Sequence, residues 1–263
     1  MPRIALGIEY AGHAYCGWQK QQDCVGVQAH LERGLAKIAC EPIEVFCAGR
    51  TDRGVHAIGQ VVHFDTSVHR PDDAWVRGTN THLPSGVRVL WSREVDEDFH
   101  ARFSATSRRY RYVILNRRIH SAVFADLQTW VSYALDVSLM HQAAQALLGE
   151  QDFTSFRAAE CQAKHPVRCV TEVSVHGDGV HVFVDIEANA FLHHMVRNIV
   201  GSLLMIGRGE RPMTWIAELL QAKDRKLAAP TAPAAGLYLT HVRYPEVYDF
   251  PTLDLSYLWR GAA

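Results

Sequence analysis

Hydrophobic and polar positions along this chain follow two periods, and the switches between them mark out the elements. Arg3 to Tyr10 reads as a first strand, after which Val27, Leu31, Leu35 and Ile38 recur at near-helical spacing and predict a helix with one apolar face. Glu44 to Cys47 reads as a short strand, and Ile58, Val62 and Phe64 mark another. The stretch between them, with Asp52 in it, is therefore a loop joining two strands. A second helix is expected from near Pro71, carrying Ala74, Trp75 and Val76, and Leu83-Pro84-Ser85-Gly86 breaks it before a strand at Val87 to Trp91. This order suits a split βαβ half with an antiparallel sheet.

A looser version of the same grammar follows residue 104. Tyr110, Tyr112 and Ile114 fall on one face of a strand, with Arg109, Arg111, Val113 and Leu115 on the other. A helix is expected near Ser138 to Leu148, closed by Gly149. Val180, Val182, Val184 and Ile186 alternate with His181, Phe183, Asp185 and Glu187 as in a half-buried strand, and an apolar helix is expected from Phe191 to about Ile206. Pro212 opens one more helix with Ile216, Leu219 and Leu220, and the alternating Ala and Pro of 228–235 read as an extended connector. The expected organisation is two α+β halves, 1–103 and 104–263.

With 263 residues, 48% hydrophobic and 21% charged, the chain has ample core for an ordinary soluble globular protein. Its N-terminus lacks the apolar stretch of a signal peptide and no segment reaches bilayer length, so the expected location is cytoplasmic, with no membrane partner. The six cysteines show no C-x-x-C pairing and no disulfide density and are expected as reduced thiols, Cys47 being a buried structural one. A net charge of −1 argues against a protein that coats nucleic acid indiscriminately. Charge is uneven, however: Arg102, Arg108, Arg109, Arg111, Arg117 and Arg118 fall between Ala101 and His120 with no acidic residue among them, the distribution of either a phosphate-facing strip or a solvated face.

The densest chemistry lies in Cys47-Ala48-Gly49-Arg50-Thr51-Asp52-Arg53-Gly54-Val55-His56-Ala57. One carboxylate sits between two arginines in a glycine-bracketed turn. Arg50 and Arg53 favour its charged form and are able to meet phosphates, and a carboxylate kept charged is able to attack an electrophilic carbon. An Asp in such a turn also serves, more blandly, as a local hydrogen-bonder to its own backbone. The fifteen histidines raise the question of a metal, but there is no H-E-x-x-H or C-x-x-C, and His193 and His194, adjacent on a helix, would point about 100° apart.

The string from Cys47 closely resembles the signature of the TruA family of tRNA pseudouridine synthases, in which the Asp of G-R-T-D-x-G-V-H-A is catalytic. Other blocks resemble the same family in the same order: Glu9 to Gln21, Phe99 to Ala105 with Arg109 to Tyr112, Asp152 to Arg157, Phe191 to Asn198, and Gly236 to Leu239. One departure is Tyr-Ala-Gly at residues 10–12, where many relatives carry Tyr-Asp-Gly.

The resemblance implies a pseudouridine synthase fold of class α+β, two ferredoxin-like-derived halves forming a continuous, mostly antiparallel sheet with flanking helices and the active site in a central cleft. It implies an isomerase that converts uridine to pseudouridine at positions 38, 39 and 40 in the anticodon arm of tRNA, working as a homodimer. The reaction has no net redox change, so no metal or other cofactor is expected. Asp52 is implied as the nucleophile, on either the ribose or the uracil ring. Tyr110 is implied to lie on the uracil, and Arg197, in an otherwise apolar helical run, to pair with the catalytic Asp. Arg50 is placed to enter the space left by a flipped nucleotide, and Arg53 to hold a backbone phosphate. Two other readings compete: a non-catalytic RNA-binding module of the same fold, and a metal-dependent hydrolase using the histidines.

Overall fold

The computed structural model describes residues 1–21 and 23–251, so the end of the expected C-terminal half, 252–263, lies outside the described residues. Contacts group the chain into two compact units, Met1–Thr106 with Tyr238–Ala263, and Ser107–Leu237.

In the first unit, β1 (Arg3–Tyr10) is followed by helix α1 (Val27–Ala39), the short β2 (Phe46–Cys47), β3 (His56–Asp65) and β4 (Val87–Val95). β1 pairs antiparallel with both β3 and β4, and β2 pairs antiparallel with β3. The near-helical spacing of Val27, Leu31 and Leu35 works as expected: all three are fully buried, each worth about 1.5–3 kcal/mol of transfer free energy. The segment expected as a helix from Pro71 is helical over 72–80, with a wide turn at Ala74–Gly78. Its Trp75 is fully buried and meets Phe64 of β3 edge-on at 5.2 Å. Phe64 therefore looks toward the helical side of the sheet, and His63, one residue earlier, toward the other.

The second unit holds β5 (Ser107–Asn116), β6 (Thr129–Val131), α2 (Val137–Ala144), β7 (Gly149–Asp152), β8 (Val167–Gly177), β9 (His181–Ala188), α3 (Met195–Gly207) and α4 (Trp215–Ala222). Its strands run in the order β5-β9-β8-β7, all antiparallel, with β6 parallel to β5. α2 is capped by Asp136, whose carboxylate accepts the Leu139 N–H at 2.8 Å. The last strand, β10 (Leu237–Arg243), returns to the first unit and pairs parallel with β3, Tyr238 opposite His56. The class is α+β with mostly antiparallel sheets, as expected. No helix among the described residues is long and apolar enough to cross a membrane.

Three local expectations change. β9 is buried on both faces, not half-buried, because Asp185 and Glu187 are taken up by partners on β5. The run from Phe191 becomes helical only at Met195, since His194 takes φ +60. Cys16 and Cys24 are joined as a disulfide, with Cα atoms 6.0 Å apart, where the sequence reading has reduced thiols. Their spacing inside one loop matches no short cysteine motif.

Candidate active site

Asp52 is half-buried in the loop between β2 and β3, and the backbone around it is fixed from several sides. The Val55 N–H donates to the Asp52 carbonyl at 3.1 Å, closing a four-residue turn. Gly54, third in that turn, has φ +81, the left-handed angle a type II turn demands at this position. Thr51, 7% exposed, is gripped twice: its carbonyl accepts the Trp18 N–H at 2.9 Å and its hydroxyl meets the Tyr10 hydroxyl at 2.8 Å.

Gly17 shows how closely the N-terminal segment is laid on this loop. A Cβ there would stand 2.7 Å from the Thr51 carbonyl oxygen and 3.1 Å from the Arg53 nitrogen, and φ is +87. Only glycine satisfies both conditions. This explains why the block from Glu9 to Gln21 accompanies the Asp52 string: it forms the wall the loop rests on.

Gln60, fully buried on β3, clamps the other end. Its Nε2 donates to the Gly49 carbonyl at 2.6 Å and to the Tyr10 hydroxyl at 3.4 Å, and its Oε1 accepts the Gly49 N–H at 3.4 Å. Gln60, Tyr10 and Thr51 thus link strand to loop on either side of Arg50. Sequence reasoning missed Gln60. The available signal was a glutamine between the apolar residues Ile58 and Val61–Val62 of a strand, where a polar side chain must find partners.

Arg50 and Arg53 are both exposed on this loop. Burial pushes the Cys47 thiol up to about 12, against the pull of the Arg50 and Arg102 charges. Cys47 is therefore a protonated, inert neighbour of the loop, as expected of a structural cysteine. His56 accepts the Gly12 N–H on Nδ1 at 3.0 Å and lies flat on the Tyr238 ring, centroids 4.6 Å apart.

In the second unit, Tyr110 on β5 is 9% exposed, with the Phe191 ring edge-on to it at 4.9 Å. Arg197 is half-buried on the first turns of α3 and donates its Nε–H to the Ala232 carbonyl at 2.8 Å, while its own carbonyl accepts the Ala232 N–H at 3.1 Å. Nearby, buried Asn198 takes Thr231 and Arg225 on its Oδ1 and donates to the Phe156 carbonyl. The Ala-Pro connector is held to α3 by these bonds and to β5 by Tyr112, whose hydroxyl donates to the Pro233 carbonyl at 2.8 Å.

The arginine run divides. Arg111 makes a bidentate pair with Asp185 at 2.7 and 2.8 Å, Arg109 a bidentate pair with Glu172 at 2.8 Å, and Arg108 donates to the Asn189 carbonyl at 3.1 Å. These three tie strands of the second unit together and are not a continuous phosphate-facing strip. His193 and His194 also depart from expectation. Because the helix starts only at Met195, their rings lie side by side, centroids 4.0 Å apart.

Known sequences match this chain over nearly its whole length. Relatives named tRNA pseudouridine synthase A include those of Hydrogenovibrio crunogenus, 58% identical over 262 residues covering 99% of this chain and 100% of the relative. Another is that of Shewanella denitrificans, 58% identical over 257 residues and 98% of both chains. That of Photorhabdus laumondii is 59% identical over 249 residues, covering 95% of this chain and 94% of its own. The class is thus that of the pseudouridine synthases, isomerases of uridine in RNA. More narrowly, the sequence profile of the tRNA pseudouridine synthases matches residues 7–104 and 143–245, and the chain belongs to that family.

Proposed function

We propose that this enzyme isomerises uridine to pseudouridine at positions 38, 39 and 40 in the anticodon arm of tRNA, with Asp52 as the nucleophile. The bond between uracil N1 and ribose C1′ breaks, the freed base turns over within its pocket, and C5 bonds to C1′. The proton leaves C5 and N1 gains one, so electrons and atoms balance without a redox partner. Asp52 carries the attack, on the ribose or on the ring, and Tyr110 stacks on the uracil and assists the proton transfer. Arg197 supplies positive charge that keeps the nucleophile ionised. Arg50 fills the stack left by the flipped nucleotide and Arg53 holds a phosphate. The enzyme acts as a homodimer in the cytoplasm and needs no metal.

The observation that carries this reading is the immobilised loop. Thr51 is held by Trp18 and Tyr10, and Gly49 by two bonds from Gln60, so Asp52 is presented in a fixed position, as catalysis by a positioned nucleophile requires.

The test is tritium release from tRNA labelled at C5 of uridine, in buffer containing EDTA, comparing the wild type with Asp52→Ala. Release by the wild type only is expected. Equal release by both removes Asp52 from the mechanism, and no release from either, with tRNA binding intact, makes the chain a binding module. Light scattering of the purified protein tests the dimer.

A further inference from the structure

The first unit carries an aromatic patch that neither its core nor the nucleophile loop uses. Phe46 of β2 stands opposite His63 of β3, rings stacked at 5.2 Å, on the sheet face away from the helical side. The turn after β4 adds His100, 4.6 Å from His63, and Phe103, 4.3 Å from His100. The Arg102 guanidinium lies 5.4 Å from the Phe103 centroid.

This turn presents two phenylalanines in opposite ways. Phe99 is fully buried among Tyr244, Tyr248 and Phe250, and it fulfils the packing role of the segment. Phe103 is 73% exposed and Phe46 44% exposed. The turn that displays Phe103 is rigidly built. The Ser104 N–H donates to the His100 carbonyl at 2.8 Å, the His100 N–H donates to the Ser104 hydroxyl at 2.9 Å, and His100 Nδ1 accepts the Arg102 N–H at 3.1 Å. His63 Nδ1 accepts the Ala101 N–H at 3.1 Å, which fastens the turn to β3. Its contacts with His100 and Arg102 leave most of the Phe103 ring in water, an apolar surface held out on a fixed turn.

Two features say what covers it. Both imidazoles accept a backbone amide on Nδ1, and burial and the Arg3 charge lower the pKa of each, so His100 extends the aromatic surface beside Phe103 while buried His63 supports it from beneath. The positive charge comes from exposed Arg102, whose guanidinium lies beside the Phe103 ring. Aromatic faces with a guanidinium at the edge match an unpaired nucleotide, a flat base beside a phosphate.

We propose that Phe103 is a stacking platform for an unpaired base of the anticodon loop, with Arg102 on the adjoining phosphate. The proposal rests on the tRNA reading above, and its test separates the two. The full-length protein is titrated into an anticodon stem-loop RNA carrying 2-aminopurine at single loop positions. With wild type, one position is expected to show quenching on binding. Phe103→Ala should lose that quench and weaken Kd on the order of ten-fold, Phe103→Tyr should keep both, and Phe103→Leu should behave as Ala, because stacking needs the ring. Arg102→Gln should lower the slope of log Kd against log salt by about one.

Unchanged Kd and quench in Phe103→Ala, with wild-type tritium release normal, overturns the platform and leaves the catalytic reading standing. The converse, a wild type that binds and quenches without releasing tritium, overturns the catalytic reading and leaves the platform. Loss of the dimer in light scattering on Phe103→Ala or Phe103→Leu overturns the proposal in favour of a second copy of the chain as the occupant.

Discussion

Replacing Gln60 by Leu tests whether the clamp on the nucleophile loop is what keeps it in place. The two side chains are close in volume, so the change deletes polar contacts with little cavity cost. It removes the 2.6 Å bond to the Gly49 carbonyl and the two weaker ones, at 3.4 Å, to the Gly49 N–H and the Tyr10 hydroxyl. An abandoned backbone group away from water costs about 1–3 kcal/mol. The short bond dominates, and the Tyr10 hydroxyl keeps Thr51, so the total is about 2–4 kcal/mol. For a protein of this size that lowers Tm by roughly 5–15 °C, read by thermal unfolding. The catalytic effect should exceed the stability effect. Gly49 precedes Asp52 closely, and displacing a reacting group by about 1 Å costs on the order of 100-fold in rate. Tritium release at saturating tRNA, measured well below the variant's Tm, should fall by 10-fold or more, with KM changed less than three-fold. A variant with reduced Tm but wild-type kcat would refute the reasoning: Gln60 would then hold the fold and not the nucleophile.

Other outcomes follow from the same contacts. Gly54→Ala forces a side chain into φ +81 and should destabilise by about 1 kcal/mol, with a larger drop in tritium release because the strained turn contains Asp52. Arg111→Met leaves the Asp185 carboxylate, 2% exposed, without its bidentate partner; urea denaturation should show a loss of about 3–5 kcal/mol, largely recovered in Arg111→Met/Asp185→Leu. Burial, with help from His100 and Arg3, lowers His63 from 6.5 to about 4. The unfolded chain therefore binds the extra proton first, so this contribution to stability is full above pH 6.5 and is lost as pH falls toward 4. His63→Gln, which keeps an acceptor for the Ala101 N–H, should flatten the fall in urea stability across that window.

Much of this architecture is written in local pattern. β1, α1, β3 and β5 come directly from spacing because each has one side, or both, committed to burial, as with Val27, Leu31 and Leu35. β8 is hard to see because its exposed Thr171, Glu172 and His176 dilute the alternation, and β10 is hidden behind an Ala-Pro connector. The start of α3 depends on a left-handed His194, which no periodicity announces. The site divides in the same way. The Asp52 string is legible as a motif, since an acid between arginines and glycines is unusual chemistry in a short space. The clamp is not, because Tyr10, Thr51 and Gln60 become neighbours only through the pairing of β1 with β3. Nor does the arginine run disclose that Glu172, Asp185 and Glu187, far along the chain, are waiting for it on adjacent strands.

The strand that returns to the first unit sets a timetable for birth of the enzyme. The ribosome makes His56 about 180 residues before it makes Tyr238, its opposite number on β10, a gap of roughly 10–40 s at ordinary translation speeds. Throughout that interval the nascent chain carries the margin of β3 beside the nucleophile loop without the ring that will lie on His56. Synthesis broken off before Leu237 would therefore release no working half, only a strand edge open to pairing with other chains.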